Sequence, residues 1–381
     1  MDYRTFEGDF LETKEGLIFD VKGIIQPEMY KIAYLRYMPV DFFNRNYANA
    51  PKTKKFRIQK EIEKKYSVDI ADVRFAHKNF IKIYDIESRF RILSQFKPEY
   101  IFRSELFDFP LQAVPIRDIK TIHVPEVYLQ EKLESEPEES LKNLVMFIHE
   151  GSDIPVSHIG LSGSYMVGLN QPKSDYDLII YGEVESHKVH AFLEDRFSHS
   201  KSFQYGSSLI KTYTGRLMRT HFKNRGAGFH VPFRDFKRME LQKTHQFLID
   251  GRDVFLRYIE ICRNDINLPD FNDFSYKGLD RVILRGEIVN DSKSIFTPGS
   301  YKLQINSIQK SIHPIPIEEI EIFTFRGRFL EQARKGDKVL VNGKLEQEKI
   351  NSLNEIRYRV VLGTDPNDKM IQINRSNVKL S

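Results

Sequence analysis

The chain has 381 residues, of which 40% are hydrophobic and 29% charged, enough apolar material for two or three packed cores. That composition excludes a mainly disordered, collagen-like or low-complexity chain. The 58 basic against 53 acidic side chains give a net charge of +5, too mild to imply a polyanionic partner by itself. No apolar run approaches the roughly 20 residues of a spanning helix, so no membrane association is expected. Cys262 is the single cysteine and cannot form an intramolecular disulfide, and no targeting segment is visible behind Met1. A soluble protein of the reducing cytoplasm is therefore expected.

The opening segment reads as β structure. Asp9–Glu12 and Leu17–Val21 flank Thr13-Lys14-Glu15-Gly16, where Gly16 can supply the positive φ of a tight hairpin. A further strand is predicted over Tyr30–Tyr37. Lys52–Tyr66 has a helical pattern, with Phe56, Ile58 and Ile62 among basic residues, and Ile86–Phe96 forms a second amphipathic helix. Pro98, Pro110, Pro115 and Pro125 punctuate the following stretch, and a domain boundary is placed near residue 125.

Beyond it, Glu131, Glu134, Glu136, Glu138 and Glu139 precede Leu141, Leu144, Val145 and Ile148, which recur at helical spacing. Acidic residues early in a helix suit the positive end of its dipole. A short strand follows over Ser157–Leu161. Two later strands are expected around Asp250-Gly251, a dipeptide that favours a type I′ hairpin turn. The last segment offers five strands: Arg281–Val289, Tyr301–Asn306, Glu319–Phe325, Lys338–Glu346 and Ile356–Leu362. A helical turn or two over Arg328–Lys335 precedes the fourth, which is the order of an OB-fold. The fold class is thus multidomain α+β: an N-terminal α+β domain (1–125), a central domain (126–276) and an OB-like β-barrel with a basic tail (277–381).

The chemistry concentrates in the central domain. A strand runs into Gly163-Ser164, ten residues intervene, and a second strand opens with Asp175-Tyr176-Asp177. Successive side chains of a strand alternate between faces, so the two carboxylates share one face. Like charges so placed repel unless a cation sits between them, and divalent ions with oxygen ligands, Mg²⁺ above all, suit the pair. Leu178-Ile179-Ile180 is apolar on both faces, which predicts a central, buried strand. Gly163 allows close backbone approach to a ligand, and Ser164 offers a hydroxyl and an N–H to phosphate oxygens. Gly168 lets the loop turn back toward the carboxylates.

This combination resembles the nucleotidyltransferase superfamily that includes DNA polymerase beta, CCA-adding enzymes and poly(A) polymerases. Its signature is Gly-Ser or Gly-Gly, a spacer of this length, and Asp-x-Asp on an apolar strand. The whole chain, including Gly8–Gly23, further resembles archaeal proteins described as predicted nucleotidyltransferases. The resemblance implies a polymerase beta-like core over 126–276, a mixed sheet with flanking helices. It also implies transfer of a nucleoside monophosphate from an NTP to an acceptor hydroxyl, with release of pyrophosphate. Asp175 and Asp177 would then bind two Mg²⁺ ions, or Mn²⁺, with a third carboxylate beside them. Asp253 is the candidate for that third position, with Asp250 and Glu260 as alternatives.

The loop departs from many relatives in lacking a basic residue soon after Gly-Ser; Lys173 is its one cation. Charge is available from Lys201–Lys243, where ten Lys and Arg face two acids, Asp235 and Glu240. Lys211, Arg216 and Arg219 are candidates for phosphate, interleaved with Tyr205, Tyr213, Phe222, Phe229 and Phe233 that could stack a base. The barrel makes RNA or single-stranded DNA the expected acceptor, while a protein or small-molecule hydroxyl stays open. A second reading is a non-catalytic nucleic-acid-binding module on an inherited nucleotidyltransferase fold. His221, His230 and His245 have no metal spacing, so with one cysteine a zinc site is not expected. No P-loop motif occurs.

Overall fold

The computed structural model describes residues 4–48, 74–75, 78–84, 86–225, 231–264 and 268–373. The predicted helix Lys52–Tyr66, Phe229, His230 and the end of the basic tail (374–381) lie outside the described residues. The architecture is mixed α+β with three sheets, and the chain separates into two compact units.

The first unit takes Met1–Ser104, Phe109–Tyr128 and Ser162–Pro172. Its strands are β1 (Phe10–Thr13), β2 (Ile18–Val21), β3 (Tyr30–Pro39), β4 (Arg74–Phe75), β5 (Lys78–Lys82), β6 (Ile101–Phe102), β7 (Leu111–Pro115) and β8 (Ile119–His123). They form one sheet in the order β4-β5-β3-β2-β1-β8, with β7 on β3 and β6 on β7. Gly16 turns the β1–β2 hairpin at φ +83°, as its sequence requires. Helices α1 (Val40–Ala48) and α2 (Ile86–Phe96) accompany this sheet, α2 spanning the residues its periodicity predicts. Leu11, Phe19, Leu35, Phe42, Leu93 and Tyr100 belong to the buried core between them.

The second unit takes Glu105–Asp108, Leu129–Leu161 and Lys173–Ser381. Helix α3 (Pro125–Glu134) leads into it, and α4 (Glu139–Ser152) buries Leu141, Leu144, Val145 and Ile148 as the spacing predicts. The central sheet comprises β9 (Ile159–Leu161), β10 (Tyr176–Tyr181), β11 (Ser202–Tyr205), β12 (Ser208–Lys211), β13 (Gln246–Ile249) and β14 (Arg252–Ile259). Their order is β11-β12-β13-β14-β10-β9. Helices α5 (Glu183–His199), α6 (Gly215–Arg225) and α7 (Phe233–Glu240) complete this part. β10 lies between β14, its parallel partner, and β9, its antiparallel one. Leu178, Ile179 and Ile180 are buried there, the central strand their composition predicts.

The third sheet holds β15 (Phe274–Asn290), β16 (Gly299–Lys310), β17 (Glu319–Thr324), β18 (Lys338–Ile350), β19 (Glu355–Leu362) and β20 (Lys369–Gln372). The order is β15-β16-β17-β19-β18-β20, with β15 also pairing β18 and β17 running parallel to β19. The five predicted strands are present, and β20 is an addition that pairs along the start of β18. The helical turns expected over Arg328–Lys335 reduce to a single 3₁₀ turn, Gly327–Phe329. The reason is Glu331, whose backbone is left-handed (φ +49°) and whose side chain is committed elsewhere.

Glu331 is fully buried and reaches from the third sheet into the central part of the unit. It accepts from the Thr244 backbone N–H at 2.8 Å, with His245 Nδ1 at 2.7 Å and His190 Nε2 at 3.3 Å. A second buried network joins Glu240 to His221 Nε2 (2.9 Å) and Lys243 Nζ (2.5 Å), and Lys243 also donates to the Arg328 carbonyl. Burial pushes both carboxyls up. The charge of Lys243 and the bond from His221 nonetheless hold Glu240 at about 2, and His245 and His190 hold Glu331 well below the ordinary range.

Removing one partner from such a network strands buried charge, so Glu331→Ala should cost about 3–5 kcal/mol in urea unfolding. Depressed carboxyls favour the folded state above their unfolded value and lose that advantage as they protonate. The Glu240 contribution should therefore be complete above 4.5 and fade as pH falls toward about 2, visible as a falling unfolding midpoint across that window.

Candidate active site

The register of two parallel strands sets the aspartates at one end of the sheet. Tyr176 pairs with Val254, Asp177 with Phe255 and Leu178 with Leu256. In-register neighbours of parallel strands point to the same face, and adjacent strands lie about 4.8 Å apart. Asp253 sits two residues before Phe255 and so shares the face of Asp177, at the same end of the sheet; Asp175 immediately precedes β10. Tyr176 and Val254 are buried on the opposite face, where the Tyr176 hydroxyl meets Ser140 and Glu138, both at 2.8 Å. Burial pushes that phenol above its ordinary range, so it serves as a neutral anchor for the strand start.

The β13–β14 hairpin fixes which face of β14 carries Asp253, opposite Leu248. Asp250 and Gly251 both have positive φ (+49° and +79°), the type I′ pattern that their dipeptide predicts. Asp250 is used up locally: its side chain accepts from the Leu209 backbone N–H at 2.8 Å and ties the turn to β12. Glu260 lies past the far end of β14 and bonds Lys293 at 2.5 Å. Of the three candidates for a third carboxylate, the geometry therefore places Asp253 beside the pair and the other two in different work.

Two side chains that the motif does not contain support the carboxylates. Arg252 donates to the Ser174 carbonyl at 3.3 Å, pairs with Glu138 at 3.0 Å, and lies 4.5 Å from the Tyr176 ring centroid. It thus grips the residue just before Asp175 from the neighbouring strand. Tyr213 donates its hydroxyl to Asp253 and stacks on His221, with ring centroids 4.5 Å apart. That contact delivers the chain entering α6 to the carboxylate end of the sheet. The sequence signal for Arg252 is its place next to Asp253 after a tight turn; Tyr213 carries none beyond its aromatic, basic surroundings.

The remaining candidates are placed as follows. Gly163 and Ser164 open a one-turn helix, Gly163–Met166, directly after β9, with Gly163 at φ +70° and Gly168 at +67°. This connection belongs to the first unit: Met166 and Leu169 are buried with Phe10, Ile18, Tyr37 and Phe80, and Ser162 Oγ donates to the Gly8 carbonyl at 2.7 Å. Lys173 is exposed. Lys211 ends β12 and is exposed, as are Arg216 and Arg219 on α6, the latter 5.4 Å from the Phe233 ring.

Comparison with family models returned no match. Among curated proteins the chain is similar to "Uncharacterized protein MJ1086" of Methanocaldococcus jannaschii, 25% identical over 361 residues that cover 93% of this chain and 94% of the relative. The likeness is thus of whole chains and extends over both units.

Because Arg252 holds the Ser174 carbonyl, Arg252→Ala should loosen the start of β10, read as amide hydrogen exchange about tenfold faster at Tyr176 and Asp177 than in wild type.

Proposed function

We propose that the protein is a metal-dependent nucleotidyltransferase that moves a nucleoside monophosphate from an NTP to an acceptor hydroxyl, releasing pyrophosphate. The observation that carries this reading is the convergence of Asp177 and Asp253 on one face of β10 and β14, with Asp175 beside them. The donor set is entirely carboxylate oxygen, which suits Mg²⁺ or Mn²⁺ and disfavours softer ions. Asp175, Asp177 and Asp253 would hold the metal; bound there, it neutralises the triphosphate and stabilises the charge that builds on attacking and leaving oxygens.

The chain's own groups do the rest. The acceptor oxygen attacks the α-phosphorus as the α–β bridging bond breaks, and its proton passes to Asp253, whose orientation Tyr213 fixes. Arg252 holds the Ser174 backbone so that Asp175 and Asp177 keep their places. Within the second unit, Lys173, Lys211, Arg216 and Arg219 supply positive charge for the phosphates.

Nucleic acid is the proposed acceptor. The third sheet runs first-second-third-fifth-fourth strand with the first and fourth paired, an order that supports an OB-like barrel of the kind that binds single strands. The second reading, a non-catalytic nucleic-acid-binding module, is favoured by one feature: the Tyr213 hydroxyl already occupies an oxygen of Asp253.

Transfer of label from each α-labelled NTP, with Mg²⁺ or Mn²⁺, to cellular RNA, single-stranded DNA or cell protein tests the proposal. Wild type should label one acceptor class, and Asp175→Ala/Asp177→Ala should lower the rate by about a thousandfold, the cost of losing several kcal/mol of charge stabilisation. Single-strand binding that survives this double substitution, with no label from wild type, would establish the module instead.

A further inference from the structure

The opposite end of the same sheet gathers a different set of ligands. β9 starts, and β10 and β14 finish, at this end. His158 immediately precedes β9, Glu185 lies in the first turn of α5, and Cys262 follows the end of β14. His158 Nδ1 is 3.8 Å from Cys262 Sγ and 3.9 Å from Glu185 Oε2, and all three ligand atoms lie within 4.8 Å of one another. All three residues are half-buried, screened yet reachable.

We infer that His158, Glu185 and Cys262 form a zinc site. Tetrahedral zinc takes thiolate at about 2.3 Å and imidazole or carboxylate at about 2.0–2.2 Å, which sets its ligands roughly 3.3–3.6 Å apart. The two separations from His158 Nδ1, 3.8 and 3.9 Å, need to contract by roughly 0.2–0.6 Å around an ion, and the carboxylate and thiol, within 4.8 Å of each other, close on it by side-chain rotation. A thiolate and an imidazole select zinc over Mg²⁺, the reverse of the all-oxygen set at the other end.

Two further observations fit a ligand site. Gly182 connects β10 to α5 at φ +101°, and a Cβ there would stand 2.2 Å from Glu185 Oε2 and 3.1 Å from Cys262 Sγ. Only glycine keeps the space between carboxylate and thiol clear. Its N–H donates to the Ile259 carbonyl at 3.0 Å, which fixes the crossover against the end of β14. The Tyr181 carbonyl lies 3.0 Å from the same Nδ1, so the ring N–H donates to it in the metal-free molecule. Zinc would take the place of that proton, the neutral ring then carrying its hydrogen on Nε2, while the Cys262 thiol proton leaves to solvent and the carbonyl oxygen or a water completes four donors.

The ligands come from three segments far apart in sequence, which is why no motif spacing announces them. One ion would tie the start of β9, the first turn of α5 and the chain after β14. Four residues of β10, Leu178–Tyr181, separate it from Asp177, about 13 Å along a strand, so this site stands apart from the nucleotidyltransferase reading.

The test is metal analysis of the full chain, followed by cobalt substitution. Wild type should retain about one zinc per chain through dialysis, and its Co²⁺ form should absorb in the near ultraviolet by thiolate-to-cobalt charge transfer. Cys262→Ser should abolish that band and weaken zinc by about a hundredfold, and Glu185→Gln or Gly182→Ala by about tenfold or more. Asp175→Ala/Asp177→Ala should leave both readouts unchanged. A cobalt form of wild type without the charge-transfer band, or zinc retained in full by Cys262→Ser, overturns the proposal; the first readout needs no variant to fold.

Discussion

Everything at the candidate site depends on the in-register parallel pairing of β10 with β14. Two strands that each carry aspartate as their second residue place like charges at one end of a sheet, an arrangement that is costly without compensation. A one-residue slip would remove the cost by turning Asp253 to the buried face and Val254 to the open one. The slip is prevented because the β13–β14 turn leaves no freedom: Asp250 and Gly251 adopt the left-handed pair, and Asp250 is bonded to β12. The shared face of Asp177 and Asp253 is thus set by backbone geometry.

The third sheet contributes to the same constraint. Thr244 and His245 immediately precede β13, and both are bonded to Glu331, as is His190 on α5. The start of the hairpin is therefore anchored in a charge from the third sheet, while Arg238 and Lys243 reach back to the carbonyls of Gln372 and Arg328. These buried bonds are directional where apolar packing is not, and they give the second unit one arrangement of its two sheets.

Local signals in the sequence carried far. The glycine at the β1–β2 turn, the period of α2 and α4, the apolar run of β10 and the Asp250-Gly251 hairpin all have short-range causes, and each appears where those causes put it. What was illegible was non-local. Arg328–Lys335 has a helical composition, but the demand of Thr244 and His245 for a carboxylate at Glu331 bends the chain out of a helix. β20 is four residues whose strand state comes from pairing with β18. The loop after Gly163 reads as a ligand cradle, and its Met166 and Leu169 gave no hint that they complete a core with Phe10 and Tyr37. Arg252 and Tyr213 matter through what they touch, which spacing cannot reveal.

The two ends of the central sheet differ in kind because their strands end differently. At the end where β10 and β14 begin, side chains alternate cleanly, and a strand start can offer only what alternation exposes, here three short carboxylates on one face. At the other end a crossover glycine, a helix first turn and an irregular segment meet, so ligands of different length and hardness can point inward from different directions. Regular backbone therefore suits a rigid, oxygen-only donor set, as the proposed function requires. Irregular backbone suits a mixed nitrogen, sulfur and oxygen set, and an ion held there would fasten the strand ends whose register keeps the aspartates aligned.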